Sequence, residues 1–310
     1  MNLTMKMRMK ATMKTWRDRV LQQEDLNFLL TNRVPRIALT RFMGWFSQIR
    51  QPLVRSLSLR AWRLFGDLDL SDAKKARFDS LHDCFIRELR PGARLVDADP
   101  QVLASPCDAI LGACGPVQGL AVFQAKGFPY TLPELFGRDP EAFAPYRDGV
   151  FATLRLTASM YHRFHAPHDC RVHHVTHHSG DTWNVNPIAL KRVQKLFCRN
   201  ERAVIHTRTT LGGHPIALVP VAAILVASLR LHWLAPLLGV DYRGPDELPC
   251  DAHFLKGQEM GWFQHGSTII VFAPQGFTLA PGLATGSRLR MGQVLLRLPP
   301  GTPARSPIVR

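Results

Sequence analysis

The chain has 310 residues, of which 46% are hydrophobic, so it can bury a substantial core and is not expected to be disordered as a whole. It carries 39 Lys and Arg against 24 Asp and Glu, and the formal charge of +15 predicts an anionic partner, either nucleic acid or an acidic membrane surface. The six cysteines form no C-x-x-C pair, which argues against a zinc cage or a disulfide framework and favours reduced thiols.

The first 14 residues are rich in Met and Lys and lack the apolar centre of a secretory signal. We therefore expect a disordered basic leader over 1–14. The sequence contains no run of 18 uncharged apolar residues, so it predicts no transmembrane helix. The longest apolar stretch, 216–229, is short and rich in Val and Ala, which indicates one or two core strands.

A basic amphipathic segment runs from Val34 to about Leu64. Its apolar residues recur at spacings of three and four, and Pro52 interrupts it, so two short helices are predicted. Large aromatic side chains beside arginines are typical of a helix that lies in the plane of a membrane surface, where each basic residue gains roughly 1 kcal/mol near anionic lipid. The alternative is that the stripe packs on the protein's own core. The residues expected to contact lipid are Arg36, Arg41, Phe42, Trp45 and Phe46.

Nucleic acid is the rival partner for the basic charge. The sequence has no zinc-finger spacing, no aromatic RNP-like strand and no helix-turn-helix signature. The basic residues follow an apolar stripe and are not interleaved with stacking aromatics. An anionic membrane is therefore the favoured partner, and no nucleic acid is expected.

Beyond Pro91 the pattern changes to short apolar runs separated by Gly, Pro and Asp, which is typical of antiparallel strands joined by turns. One helical interruption is expected at 132–136. The predicted fold class is α+β, with a mainly antiparallel β catalytic domain over 91–310 preceded by basic amphipathic N-terminal helices over 15–90. The predicted strands lie at 103–104, 151–156, 171–175, 203–206, 216–229, 269–272 and 294–298.

Seven histidines fall between residues 161 and 178, a density that suggests a metal. No H-E-x-x-H motif occurs, and the run is extended and bounded by Pro167. The imidazoles of His162, His165 and His168 are therefore not expected to share one face. We predict no metal site and expect some of these histidines to act as acid–base groups.

A Gly-Ser-Thr tripeptide at 266–268 precedes the β-branched run 269–272, a predicted buried strand. Gly266 permits a tight turn and close approach to its carbonyl. Asp108, His165 and Ser267 could form a triad in which the carboxylate fixes the imidazole and the imidazole takes the hydroxyl proton. From these residues alone, an ordinary Gly-Ser turn and other Asp/His/Ser triples remain open.

Ordered motifs across most of the chain resemble the phosphatidylserine decarboxylase family, the pyruvoyl enzymes of phospholipid synthesis. The resemblance implies a proenzyme that cleaves itself between Gly266 and Ser267 into a β chain (1–266) and an α chain (267–310). It also implies that Ser267 becomes a covalent pyruvoyl group, which serves as the cofactor. The matching segments are 39–45, 85–90, 105–108, 124–127, 161–167, 185–187, 196–202 and 256–272.

The resemblance further implies roles for the site residues. His165 would deprotonate Ser267, Asp108 would orient His165, and His162 would handle protons during decarboxylation. Phosphatidylserine would become phosphatidylethanolamine and CO2 through a Schiff base with the pyruvoyl group, which accepts the released electrons. The implied partners are phosphatidylserine, the anionic cytoplasmic face of the cell membrane, where the protein would be peripheral, and a heterodimer of its own two chains. A dimer of that heterodimer is left open.

The sequence departs from the family pattern at three places. Ala109 stands where glycine is usual, His265 where leucine is frequent, and the segment 221–228 carries alanines at glycine positions. Extra methyl groups in tightly packed places can cost roughly 1–3 kcal/mol, so these positions bear on lipid specificity. A decarboxylase of another seryl phospholipid, a serine hydrolase with the same triad, and an uncleaved lipid-binding scaffold stay open as alternatives.

Overall fold

The computed structural model describes residues 24–302, apart from 67, 125–127, 226–227 and 265–267. The leader predicted over 1–14 and the predicted cleavage site at 266–267 lie outside these ranges. A 3-10 turn occupies Ala144–Tyr146. The helices are α1 (Glu24–Asn32), α2 (Arg36–Phe46), α3 (Pro52–Phe65), α4 (Leu81–Phe85), α5 (Leu132–Phe136), α6 (Pro140–Phe143), α7 (Pro187–Arg192) and α8 (Leu196–Arg199).

The strands pair antiparallel with one another wherever they meet. They are β1 (Val102–Ala104), β2 (Ala109–Pro116), β3 (Ala121–Phe123), β4 (Pro129–Thr131), β5 (Val150–Arg155), β6 (Arg163–His165), β7 (Cys170–His178), β8 (Arg202–Thr209), β9 (Pro215–Val221), β10 (Ser228–Leu231), β11 (Leu238–Gly239), β12 (Glu247–Phe254), β13 (Glu259–Phe263), β14 (Thr268–Ala273), β15 (Thr278–Leu279), β16 (Arg288–Leu289) and β17 (Val294–Arg297).

These strands form one large sheet and three small ones. The large sheet has eight strands in the order β12-β7-β8-β9-β14-β5-β2-β16. The others have the orders β11-β10-β13-β6, β1-β17-β15 and β3-β4. The predicted α+β class with a mainly antiparallel β region is confirmed, whereas the division into domains near residue 90 stays a prediction.

Strand β14 is buried on both faces. Ile269 and Val271 belong to a core cluster shared with the small sheets that contain β13 and β17. Ile270 and Phe272 belong to a second cluster, in which α5 and α8 cover the opposite face of the large sheet. This double burial explains why the segment is a continuous apolar run with no polar alternation.

The local sequence signals agree with the observed elements. Every predicted strand is present, and the stretch 216–229 contributes β9 and the start of β10. The predicted helix at 132–136 coincides with α5, where the side chain of Thr131 and that of Glu134 form a capping box. Pro52 begins α3, so the prediction of two helices is also confirmed. All six cysteines are free thiols.

Helix α2 is attached to the β-rich part of the protein through its inner face. The buried hydroxyl of Thr40 accepts a hydrogen bond from the Leu225 amide at 3.0 Å. Arg36 donates from Nε to a carboxylate oxygen of Asp181 at 3.0 Å, and its guanidinium lies 3.7 Å from the ring centre of Trp183. Arg36 therefore serves to hold the helix in place, which corrects its predicted role as a lipid contact.

Candidate active site

Asp108 lies in the turn between β1 and β2. It is nearly buried, and its two carboxylate oxygens accept hydrogen bonds from the Nε and terminal nitrogen atoms of Arg94 at 2.9 and 2.6 Å. The amide of Met291 donates to the same carboxylate at 2.9 Å. Hydrogen bonding with Asp108 raises the pKa of Arg94 above its ordinary value, so the guanidinium stays protonated.

His165 is held at both ring nitrogens. Its Nδ1 lies 2.9 Å from the carbonyl oxygen of Gly257, and its Nε2 lies 3.0 Å from the hydroxyl oxygen of Tyr161. A carbonyl oxygen only accepts, so the neutral imidazole carries its proton on Nδ1, and Tyr161 donates to the bare Nε2. Burial lowers the pKa of His165 below its ordinary value of 6.5. At neutral pH His165 is therefore an uncharged base with its lone pair on Nε2.

The predicted orientation of His165 by Asp108 is not what the structure contains. The two residues belong to adjacent segments, since the His165 amide donates to the Pro106 carbonyl oxygen at 2.8 Å. However, both nitrogens of the imidazole already bond to Gly257 and Tyr161, and Asp108 is occupied by Arg94. Asp108 thus acts on His165 only through space, where its charge favours the protonated imidazole.

Arg94 and the two groups that orient His165 were missed by sequence reasoning. Tyr161 stands in the Tyr-His-Arg-x-His motif, so its proximity to the histidines was available as a signal. The Gly257 carbonyl carries no such signal, because any residue can supply a backbone acceptor.

His162, which directly follows Tyr161 in the motif, is fully buried. Its Nδ1 is 2.8 Å from the Met160 carbonyl oxygen, which again places the proton of the neutral ring on Nδ1. The ring centre is 4.0 Å from that of Phe85. The His162 carbonyl oxygen accepts a hydrogen bond from the Phe263 amide at 3.1 Å, so the motif is joined to the end of β13.

The described residues that flank the predicted cleavage site are Gln264 and Thr268. Gln264 follows β13, whose residue Glu259 pairs with His165 in the four-stranded sheet. Thr268 begins β14 and lies opposite Arg155 on β5. It is 1% exposed, and its hydroxyl has no hydrogen-bond partner among the residues that the structure describes. A buried hydroxyl in that state costs about 1–3 kcal/mol, which is typical of a functional position.

Gln264 lines a cavity beside α2. Two other cavities are lined by strand partners of this region, Arg155 in one and His165 in the other. The first, here called the apolar cavity, has a volume of about 460 Å³ and lies between the helices and the sheet. Its lining includes Trp62, Phe85 and Arg155, together with residues of the segments 156–158, 184–186 and 223–225. The second, here called the polar cleft, has a volume of about 720 Å³ and is lined by His165, Tyr161, Arg94 and several other charged side chains. The apolar cavity has the character needed to receive a lipid chain.

The aromatic residues predicted to contact lipid lie on the outer side of α2. Phe42 is 51% exposed and Trp45 is 63% exposed. Phe46 is partly buried and stacks on Phe42, with ring centres 5.8 Å apart. Arg41 forms an ion pair with Asp241, but both side chains are well exposed, so the pair adds little stability and leaves Arg41 accessible.

Helix α3 adds a second exposed apolar stripe. Leu53 and Leu57 are 69% and 64% exposed, and Leu64 continues the same side of the helix two turns later. Of the large hydrophobic side chains that the structure describes as exposed, most belong to residues 29–64. A concentration of this kind marks an interaction surface. In the described ranges, no helix is long and apolar enough to cross a membrane.

The histidine-rich segment does not bring metal ligands together. His168 is occupied by backbone carbonyl groups, since its Nε2 lies 2.9 Å from the Pro100 carbonyl oxygen and its Nδ1 lies 3.2 Å from that of Asp169. Across the parts of the chain that are described, no three His, Cys, Asp or Glu side chains converge in a way that could hold a metal ion.

Comparison with known proteins identifies the family. A family model described as phosphatidylserine decarboxylase matches residues 81–297. The chain is 41% identical over 242 residues to a phosphatidylserine decarboxylase proenzyme of Halorhodospira halophila, covering 76% of this chain and 81% of the relative. It is 40% identical over 247 residues to the proenzyme of Xanthomonas axonopodis pv. citri, covering 76% and 85%. For the proenzyme of Erwinia tasmaniensis the values are 34% over 278 residues, covering 86% and 92%. The chain therefore belongs to the phosphatidylserine decarboxylase family.

Proposed function

We propose that the chain cleaves itself between Gly266 and Ser267 and then decarboxylates phosphatidylserine to phosphatidylethanolamine and CO2. One observation carries the proposal. The described residues on both sides of the predicted cut contact the candidate site. On one side, the amide of Phe263 is bonded to the His162 carbonyl oxygen. On the other, Thr268 lies opposite Arg155, which lines the apolar cavity.

In the first stage, His165 acts as the base. Its Nε2 takes the proton of the Ser267 hydroxyl, whose oxygen attacks the Gly266 carbonyl carbon. The peptide C–N bond breaks and an ester forms between the two residues. Loss of the Ser267 α-proton then expels the Gly266 carboxylate and leaves dehydroalanine, and water releases ammonia from it. The neutral state of His165 suits this role, because a protonated imidazole has no lone pair to offer.

The product of this stage is a pyruvoyl group at position 267. When present, it supplies a carbonyl that takes up the amine of the substrate and accepts the electrons left by CO2. The surrounding residues fit such a group. Thr268 pairs with residues of both β5 and β9, and its buried hydroxyl is available as a donor to an adjacent carbonyl. His162, whose Nε2 carries the lone pair of the neutral ring, is our candidate for taking up a proton and returning it to the substrate carbon.

The exposed apolar faces of α2 and α3 support a peripheral position on an anionic membrane at the cytoplasmic face of the cell membrane. The same helices contribute Met43 and Trp62 to the apolar cavity, so a lipid could pass from the membrane surface to the site without crossing water. Phe42 and Trp45 remain the proposed contacts on α2, with Arg41 beside them.

Intact-mass measurement tests the processing step. The wild-type chain should yield a fragment that begins at residue 267 and is blocked to Edman degradation, and Ser267→Ala should abolish both this fragment and CO2 release. An uncleaved chain that hydrolyses esters would establish a serine hydrolase instead. An uncleaved chain without activity would establish a lipid-binding scaffold. Release of CO2 from another seryl phospholipid, with none from phosphatidylserine, would reassign the substrate.

A further inference from the structure

Arg155, at the end of β5, differs from the other arginines of the protein interior. It is partly buried, yet its guanidinium makes no hydrogen bond or ion pair with any residue in the described ranges. Most of the other partly or fully buried arginines have partners among the described residues. They include Arg36 with Asp181, Arg94 with Asp108, Arg163 with Glu259, Arg87 with the carbonyl oxygens of Cys84 and Ser159, and Arg202 with the carbonyl oxygens of Glu134, Leu135, Cys198 and Asn200.

The surroundings of Arg155 leave its charge uncompensated. Among the described residues that line the apolar cavity, Arg155 is the single charged one, and the polar members of that lining are neutral hydroxyl and amide side chains such as Asn184 and Asn186. Burial lowers the pKa of Arg155, but a guanidinium stays protonated in proteins. A cation withdrawn from water without a counter-charge is destabilising, and a bound anion would relieve that cost.

The position of Arg155 relates it directly to the cleavage site. Arg155 and Thr268 are paired residues on neighbouring antiparallel strands. Directly opposite side chains in such a pair lie on one face of the sheet, with Cβ atoms about 4.5–5.5 Å apart. That face is the one that carries Phe151 and Ile270, which pack in the cluster beneath α5 and α8. The hydroxyl of Thr268 also lacks a partner among the described residues. Two unsatisfied polar groups thus stand together beside position 267.

We propose that Arg155 binds the phosphodiester of the substrate's head group and so positions the seryl amine and carboxylate at residue 267. This assignment rests on the proposed function. A guanidinium matches the fork of two phosphate oxygens, and only a few bonds separate the phosphodiester of a seryl phospholipid from its amine. The rest of the apolar cavity would then receive the glycerol and the first part of the acyl chains.

The α-carboxylate of the same substrate is the other anion that could occupy this position. An ion pair with that group would stabilise the ground state and would be lost as the charge leaves with CO2, which raises the barrier. The phosphodiester keeps its charge through the whole reaction. Its interaction with Arg155 therefore anchors substrate, transition state and product alike, and its loss should appear mainly in KM.

The test compares Arg155→Met and Arg155→Lys with wild type on short-chain phosphatidylserine in mixed micelles, and measures inhibition by short-chain phosphatidylethanolamine. The product keeps the phosphodiester but has no carboxylate. We expect Arg155→Met to raise both the KM for phosphatidylserine and the Ki for phosphatidylethanolamine by about tenfold to a hundredfold, with kcat changed by less than about threefold. Arg155→Lys should give intermediate values of KM and Ki, because lysine keeps the charge but cannot make the two parallel hydrogen bonds of a guanidinium.

The control is Arg297→Met, which removes an exposed arginine from strand β17 and should leave both constants unchanged. Arg155→Gln is a second neutral variant that serves if Arg155→Met does not fold. An unchanged Ki for phosphatidylethanolamine beside a raised KM would assign Arg155 to the carboxylate and overturn the proposal, as would wild-type values of both constants. Intact-mass analysis of each variant distinguishes failure of the proposed function from failure of the proposed role of Arg155. Failure of the wild-type chain to cleave would refute the proposed function, whereas loss of cleavage in the Arg155 variants alone would place Arg155 in processing and overturn its role in binding.

Discussion

The imidazole of His165 illustrates how a buried residue acquires a definite protonation state. Two neighbours determine which nitrogen carries the proton, the Gly257 carbonyl oxygen at 2.9 Å and the Tyr161 hydroxyl at 3.0 Å. Burial also raises the pKa of Tyr161, so the phenol keeps its proton and continues to act as a donor. Before His165 can accept the Ser267 proton, Tyr161 must give up its hydrogen bond to Nε2.

The pH dependence of self-processing should report the lowered pKa of His165. The neutral, active form of a histidine is lost as pH falls through its pKa, so a lowered pKa extends activity to lower pH. We expect the cleavage rate of freshly translated chain to decline at low pH with a midpoint below 6.5, the ordinary pKa of histidine. Circular dichroism at each pH controls for unfolding. A midpoint at or above the ordinary value of 6.5 would contradict a buried, neutral base.

At the scale of secondary structure, α2 and α3 have two functional sides. The inner side of α2 is held by Thr40 and Arg36, which bond to segments near the apolar cavity. The outer side presents large hydrophobic residues that no described part of the chain covers. The amphipathic pattern alone does not distinguish these arrangements, because an arginine beside an apolar stripe can face either lipid or an internal carboxylate.

Flotation with liposomes tests the outer side of these helices. The double variant Trp45→Gln and Leu57→Gln should lower membrane binding at least tenfold, since burying each large apolar side chain contributes about 1.5–3 kcal/mol. Leu255→Gln is the matched control, because Leu255 is 70% exposed but lies outside the helices. Unchanged binding of the double variant would exclude this surface as the docking site. Equal binding of the wild type to neutral and anionic vesicles would refute the contribution of the basic residues.

At the scale of the whole molecule, the predicted cut gives two fragments whose strands belong to the same sheets. Strand β14 follows the cut, yet it lies inside the large sheet between β5 and β9. Strand β17 pairs with β1, and β16 pairs with β2, both of which precede the cut by about half the chain. The segment 268–302 is therefore an integral part of sheets and cores that the larger fragment also builds.

The two fragments should accordingly stay together after processing. Native size-exclusion chromatography of cleaved protein should give one peak that contains both the 1–266 and 267–310 fragments, and only denaturant should separate them. Uncleaved Ser267→Ala protein should elute at the same volume and provides the control. Recovery of the small fragment in a separate native peak would show that β14 is not held in the interior of the sheet.

Much of the fold was predictable because its signals are local. The helix at 132–136 follows from a capping box within five residues, and the strand at 268–273 follows from an uninterrupted apolar run. The break between α2 and α3 follows from Pro52. The histidine motif and the candidate role of Asp108 were also recognised. The order of strands in the sheets was not predicted, since it depends on which distant segments meet.

The sequence by itself determined the positions of the strands and helices and the membership of the family, because periodicity, capping residues and ordered motifs are encoded in neighbouring residues. Only the tertiary structure decided which partner each charged group finds. Arg36 meets Asp181 across 145 positions, and His165 meets the Gly257 carbonyl across 92. That Arg155 meets no partner among the described residues is likewise a result of tertiary packing. Such contacts depend on how the packed elements bring side chains together, and the free energy of a buried charge depends on those contacts.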